Sequence, residues 1–139
     1  MTRITGFSLL IDSQIDLPFF EQSHTSDAPA DVTITIGTAP AVLETPSLTT
    51  RFFQRSADQF LFRLPGVAAF YVEQGRAITI APESDDWTLI RLFLLDAALP
   101  ALLYQRGWGV FWGSCLDTPN GAVLITTLRE GVGTSTLAA

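Results

Sequence analysis

Val67-Ala-Ala-Phe-Tyr-Val-Glu-Gln-Gly-Arg-Ala-Ile-Thr-Ile80 carries two apolar, β-branched and aromatic runs on either side of Gln74-Gly75. Such residues suit a pleated, half-buried surface, and a glycine-bearing pair between two such runs signals a tight hairpin. Two strands, 67–73 and 77–80, are therefore expected, with Gln59–Leu64 before them as a third member of an antiparallel meander. Further out, Asp31-Val-Thr-Ile-Thr-Ile36 alternates strictly, with Val32, Ile34 and Ile36 on one face and both threonines on the other, and Gly37 closes it. Ile4–Ile11 is apolar and β-branched enough for one strand, which Asp12-Ser13 can turn. Leu17–Phe20 should be short and extended, because Pro18 keeps its predecessor out of the α region. Residues 38–50, with Pro40 and Pro46 and scattered threonines, look irregular. Residues 1–82 thus read as an antiparallel β lobe.

At Ser84 the period changes. Ser84 suits an N-cap, and Asp85 and Asp86 would then sit in the first turn, where the helix dipole favours carboxylates. Apolar residues from Trp87 to Leu103 cover every sector of a 3.6-residue wheel, which predicts one long buried helix. Pro100 should kink or break it by removing a bond to the Asp96 carbonyl, and Gly107 suits the position just past its end. The run Trp87–Tyr104 is about as long as a membrane span. Arg91 and Asp96 lie inside it, and each would cost ~3 kcal/mol at a bilayer centre, which favours a globular helix. Strand Gly109–Leu116, a turn at Pro119-Asn120-Gly121 and strand Ala122–Thr126 follow. The expected class is α+β, organised as 1–82 and 83–139.

The chain has 139 residues, enough to bury a real core. Its net charge is −6, and all eight of its basic residues are arginine. That balance argues against nucleic acid, which asks for a basic patch, and against an anionic membrane surface. Cys115 is the only cysteine, so no intrachain disulfide can form, and no signal peptide is visible. Both point to the cytoplasm. His24 stands in a polar loop far from Cys115, which gives no zinc pattern. Cys115 itself, in an apolar strand, reads as a small buried hydrophobe. Asp85 and Asp86 are neighbours that would point about 100° apart on a helix, which suits a helix start better than acid–base chemistry. Trp108, Phe111 and Trp112 read as core packing, with an exposed docking surface as the alternative.

The final stretch, Gly121–Ala139, has the layout of a strand, a glycine-bearing loop and a first helical turn. A phosphate-binding P-loop needs G-x-x-x-x-G-K-[ST], so that backbone N–H groups cradle phosphate, lysine meets its charge and the hydroxyl holds Mg²⁺. Gly133 and Ser135 fit the second glycine and the hydroxyl, but Leu128 stands at the first glycine and Thr134 at the lysine. The residues Gly131, Gly133, Thr134, Ser135 and Thr136 therefore read either as a turn capping a helix or as a weak anion nest at a helix N-terminus.

This order of elements resembles the lead-in to the kinase domain of HPr kinase/phosphorylase-related proteins. The residues that carry the resemblance are Gln105-Arg106-Gly107, Val110–Ser114, Gly121-Ala-Val-Leu-Ile-Thr126 and Gly131-Val-Gly-Thr-Ser-Thr-Leu-Ala138. Upstream, 31–34 and 67–80 also look like the β-rich front lobe of shorter relatives found beside peptide-maturation genes. The resemblance implies ATP and Mg²⁺ as cofactors and phosphoryl transfer as the activity, with Gly131, Gly133, Ser135 and Thr136 carried over as loop and hydroxyl positions. It places Trp112 where the family has histidine, and its Mg²⁺-holding acidic residues would fall past Ala139. Phosphoryl transfer rests on positioning and charge stabilisation, and little positive charge is supplied here. The expectation is a non-catalytic interaction or regulatory module with a degenerate nucleotide loop and no cofactor, which self-associates or meets a partner protein. The alternative is a serine kinase-like enzyme completed by another chain or a further C-terminal part.

Overall fold

The computed structural model describes residues 1–23 and 27–126, which fall into two compact units, Met1–Trp108 and Gly109–Ala139. By packing, the helix therefore belongs with the sheet, whereas the sequence organisation placed it with the hairpin after residue 82.

The first unit is a mixed sheet under one helix, and the α+β class holds. Its strands are β1 (Thr2–Gly6), β2 (Leu9–Ser13), β3 (Glu21–Gln22), β4 (Val32–Ile36), β5 (Leu48–Thr49), β6 (Phe53–Arg55), β7 (Gln59–Leu64), β8 (Ala68–Glu73) and β9 (Ala77–Pro82). They lie in the order β3-β1-β2-β4-β9-β8-β7-β6-β5. The meander β7–β8–β9 is antiparallel as expected, and Gln74 and Gly75 both take positive φ, 52° and 62°, as a tight two-residue turn requires. β4 departs from the antiparallel expectation, because it runs parallel to β2 on one side and to β9 on the other. Strict alternation fixes which face is buried but says nothing of strand direction.

The expected single strand 4–11 is a hairpin. It turns at Phe7-Ser8, both with positive φ (54° and 55°), where neither glycine nor asparagine announces a turn. The T-shaped contact of Phe7 with Phe20 holds this corner. Leu17–Phe20 is a turn closed by Phe20 N–H to the Leu17 carbonyl (3.1 Å), not an extended segment. Pro18 occupies the turn position that its fixed φ suits. Across β1–β2, Arg3 grips Asp12 through Nε–Oδ1 (2.7 Å) and Nη2–Oδ2 (2.8 Å), which holds the Asp12 carboxyl below its ordinary value of 3.8. A depressed folded pKa stabilises at neutral pH and loses that contribution as pH falls through the acid range. Asp12→Asn should accordingly flatten the decline of unfolding free energy below about pH 4, measured by urea titration at several pH values.

The helix runs from Trp87 to Gln105 as α1 (Trp87–Phe93), a wide π turn (Leu94–Ala98) and α2 (Leu99–Gln105). Asp86, not Ser84, is the N-cap: its carboxylate accepts from the Leu89 N–H (3.0 Å), while Ser84 Oγ accepts from the Asp86 N–H. Both aspartates precede the helix, so the expected first-turn placement is corrected. Asp86→Ala should cost about 1 kcal/mol, read as a lower denaturation midpoint. No break occurs at Pro100. Leu99 N–H bonds the Leu94 carbonyl five residues back, and this wider turn delivers the proline to the start of α2, where a missing N–H costs little. Gly107 has φ 81°, and Gly107 and Trp108 donate to the carbonyls of Tyr104 (2.9 Å) and Leu103 (3.0 Å), a Schellman stop.

The expectation of a helix buried all round is corrected to one buried face. Ile90, Leu94, Ala98, Leu99, Leu102 and Leu103 are buried, whereas Leu92 is 55% and Tyr104 59% exposed. The reason is that the sheet meets the helix from one side, along the face that carries Ile90, Leu94, Ala98 and Leu102. Register places Ile36, Ile80, Phe70, Phe62 and Phe53 in one cross-strand row. Ile34, Ile78, Val72, Phe60 and Arg55 form the next. Phe62 stacks on Phe93 of α1 (centroids 5.8 Å), which identifies this as the helix-covered face. Gln105 and Arg106 then clamp the β8–β9 turn. The Gly75 N–H donates to Gln105 Oε1 (2.8 Å) and Arg106 Nη1 donates to the Gly75 carbonyl (2.9 Å).

Candidate interaction surface

The loop residues Gly131, Gly133, Thr134, Ser135 and Thr136, together with Leu128, lie outside the described residues, as does His24. Among the described residues, no group of His, Cys, Asp and Glu side chains could hold a metal ion.

In the second unit, β10 (Ser114–Thr118) and β11 (Gly121–Ile125) pair antiparallel, with Cys115 opposite Leu124 and Leu116 opposite Val123. Pro119-Asn120 turns the chain as expected. Thr118 Oγ1 donates to the Gly121 carbonyl (2.6 Å) and accepts from the Asn120 N–H (3.3 Å), while Gly121 takes φ 115°. The expected strand 109–116 begins only at Ser114, so period two does not relate Trp108 to Trp112. Gly113 lies close under β11: a Cβ there would sit 2.5 Å from the Ile125 carbonyl oxygen. The chain is fastened at this point by Thr126 Oγ1 donating to the Trp112 carbonyl (2.7 Å).

Neither core expectation for this region holds. Phe111 is 69% and Trp112 74% exposed, and Trp108 is exposed as well. Cys115 is exposed, not buried. Because side chains alternate along a strand, Cys115 and Leu124 share one face of the hairpin while Leu116, Val123 and Ile125 share the other. Each face therefore carries apolar side chains beside polar ones, Asp117 on the first and Ser114 and Thr118 on the second, and Val123 and Leu124 are exposed. A two-stranded sheet alone is marginal, and exposed Val123 and Leu124 give this one apolar surface on both sides to cover. Chemically this unit offers apolar and aromatic surface, with no convergent acid, base or nucleophile among the described residues.

The sheet unit carries one polar cluster beside β8. Gln59 Nε2 donates to the Tyr71 hydroxyl (2.8 Å), and burial, followed by the nearby Glu73 carboxylate, raises the phenol above its ordinary 10.0. Tyr71 thus stays neutral and serves as a hydrogen-bonding group. β6 escaped the sequence reading, although Phe53-Gln54-Arg55 alternates, because three residues between irregular segments are too few for a periodic signal. Comparison of the chain with protein-family models, with characterised proteins and with solved structures finds no match.

Proposed function

We propose that this chain is a non-catalytic interaction or regulatory module resembling the front part of an HPr-kinase-like protein. It acts in the cytoplasm, without nucleic acid, membrane or cofactor, through a second copy of itself or a partner protein. The observation that carries the reading is the β10–β11 hairpin, with exposed Val123 and Leu124 on its two faces and exposed Phe111 and Trp112 leading into it. Such a surface is stabilised when another chain pairs with its edge or covers its faces. The loop chemistry supports the non-catalytic half: Thr134 stands where a P-loop has its lysine, and no lysine exists in the chain to replace it.

Two measurements test the proposal. Sedimentation across protein concentration should show self-association, or else a defined complex with a partner. A chain that stays monomeric at high micromolar concentration and recruits nothing rejects the interaction reading. Calorimetric titration with ATP·Mg²⁺ should show weak binding or none, because Leu128 puts a side chain where backbone must approach phosphate. Micromolar affinity abolished by Gly133→Asp would instead favour the ATP-dependent kinase completed elsewhere.

A further inference from the structure

A groove of about 480 Å³ opens in the first unit between the β6–β7 turn and α2. That size falls within the usual range for small-ligand pockets, about 300–1,000 Å³. Phe53, Phe60, Ala101 and Tyr104 are among its lining residues, and the Phe53 and Phe60 ring centroids lie 5.5 Å apart.

Its polar members are largely committed elsewhere. Gln59 donates to the Tyr71 hydroxyl, Gln105 accepts from Gly75 and donates to the Val72 carbonyl, and Ser56 Oγ donates to Asp58. Arg55 is the exception. Its guanidinium makes no hydrogen bond or ion pair among the described residues, and no carboxylate lines the groove. Arg55 thus supplies the groove with a cationic group that no lining carboxylate offsets.

We propose that this groove binds a small planar aromatic monocarboxylate. The ring system lies against Phe53, Phe60 and Tyr104, and the carboxylate takes the two-pronged edge of Arg55. The guanidinium fork matches a carboxylate in geometry and charge, and offset or edge-on ring contacts favour a flat ligand over a branched one. One cation calls for one negative charge, so a polyphosphate is disfavoured. A sugar would need several uncommitted donors and acceptors that the walls do not offer.

The test uses the full chain and 2-naphthoate as the probe, titrated by calorimetry and by amide chemical shifts, with the uncharged naphthalene-2-carboxamide as control. The expected result is saturable binding with shifts centred on Phe53–Phe60 and Ala101–Gln105, and at least roughly tenfold weaker binding of the carboxamide. Arg55→Gln, at an exposed position, should weaken 2-naphthoate by a similar factor with an unchanged thermal midpoint. Ala101→Phe should fill the slot and abolish binding; if that variant does not fold, the Arg55 and carboxamide arms decide. Equal binding of acid and amide, wild-type affinity in Arg55→Gln, or no saturation at millimolar probe would overturn the proposal.

Discussion

Phe70→Ala is expected to lower the stability of the sheet unit by about 3–5 kcal/mol, since Phe70 is the largest fully buried side chain among the described residues. Phe70 is fully buried in the middle of β8, the strand flanked by β7 and β9. Its row runs through Ile80 on one side and Phe62 on the other, and the Phe62 ring in turn stacks on Phe93 of the helix. Truncation therefore leaves a void at the seam where sheet and helix meet, and β-sheet backbone cannot collapse into it without breaking two ladders. Against a typical total of 5–15 kcal/mol, such a loss puts the unit near its folding threshold. Phe70→Leu keeps most of the volume and should cost less than about 1.5 kcal/mol. Urea unfolding followed by tryptophan fluorescence, with the slope unchanged and the midpoint displaced in that order, checks both. An Ala variant no less stable than the Leu variant would show that Phe70 does not anchor the helix to the sheet.

The contrast between legible and illegible parts of this fold has a physical basis. Gln74-Gly75 announced its hairpin because a positive φ has a residue preference, and Gly107 announced the helix stop for the same reason. The Phe7-Ser8 turn has the same positive φ without the preferred residues, so a hairpin looked like one strand. Val32, Ile34 and Ile36 declared alternation but not that β4 would run parallel to both neighbours, which depends on residues distant in sequence. The apolar helix was legible as a helix, yet its burial was not, since the wheel records composition and the sheet covers one side only. For the candidate surface, the aromatic residues were visible in sequence while their exposure was not. Trp112 has the composition of a core residue, yet it lies outside any described strand and in solvent.

That exposure sets the second large effect. With about three quarters of its surface in water, Trp112 contributes little to the folding of its own unit, so Trp112→Ala should change stability by no more than about 0.5 kcal/mol. A core residue would behave in the opposite way, losing several kcal/mol on truncation. If the hairpin is the surface that meets another chain, the same indole becomes its anchor: a large, rigid side chain desolvated only on association. Anchors of this kind typically cost 2–4 kcal/mol when truncated, which corresponds to about thirty- to a thousandfold in affinity. Trp112→Ala should thus dissociate the self-associated or partnered state while leaving the monomer's melting curve in place. Val123→Asp, which puts a charge on the face that Val123 shares with Leu116 and Ile125, should do the same independently. Trp112→His places there the residue that the HPr-kinase resemblance would expect, but it should confer no phosphate transfer, since an imidazole alone does not supply the lysine that Thr134 replaces. Association unchanged in both Trp112→Ala and Val123→Asp would remove the hairpin as the interaction surface, and phosphate transfer from ATP by the Trp112→His chain alone would show that the site is catalytic after all.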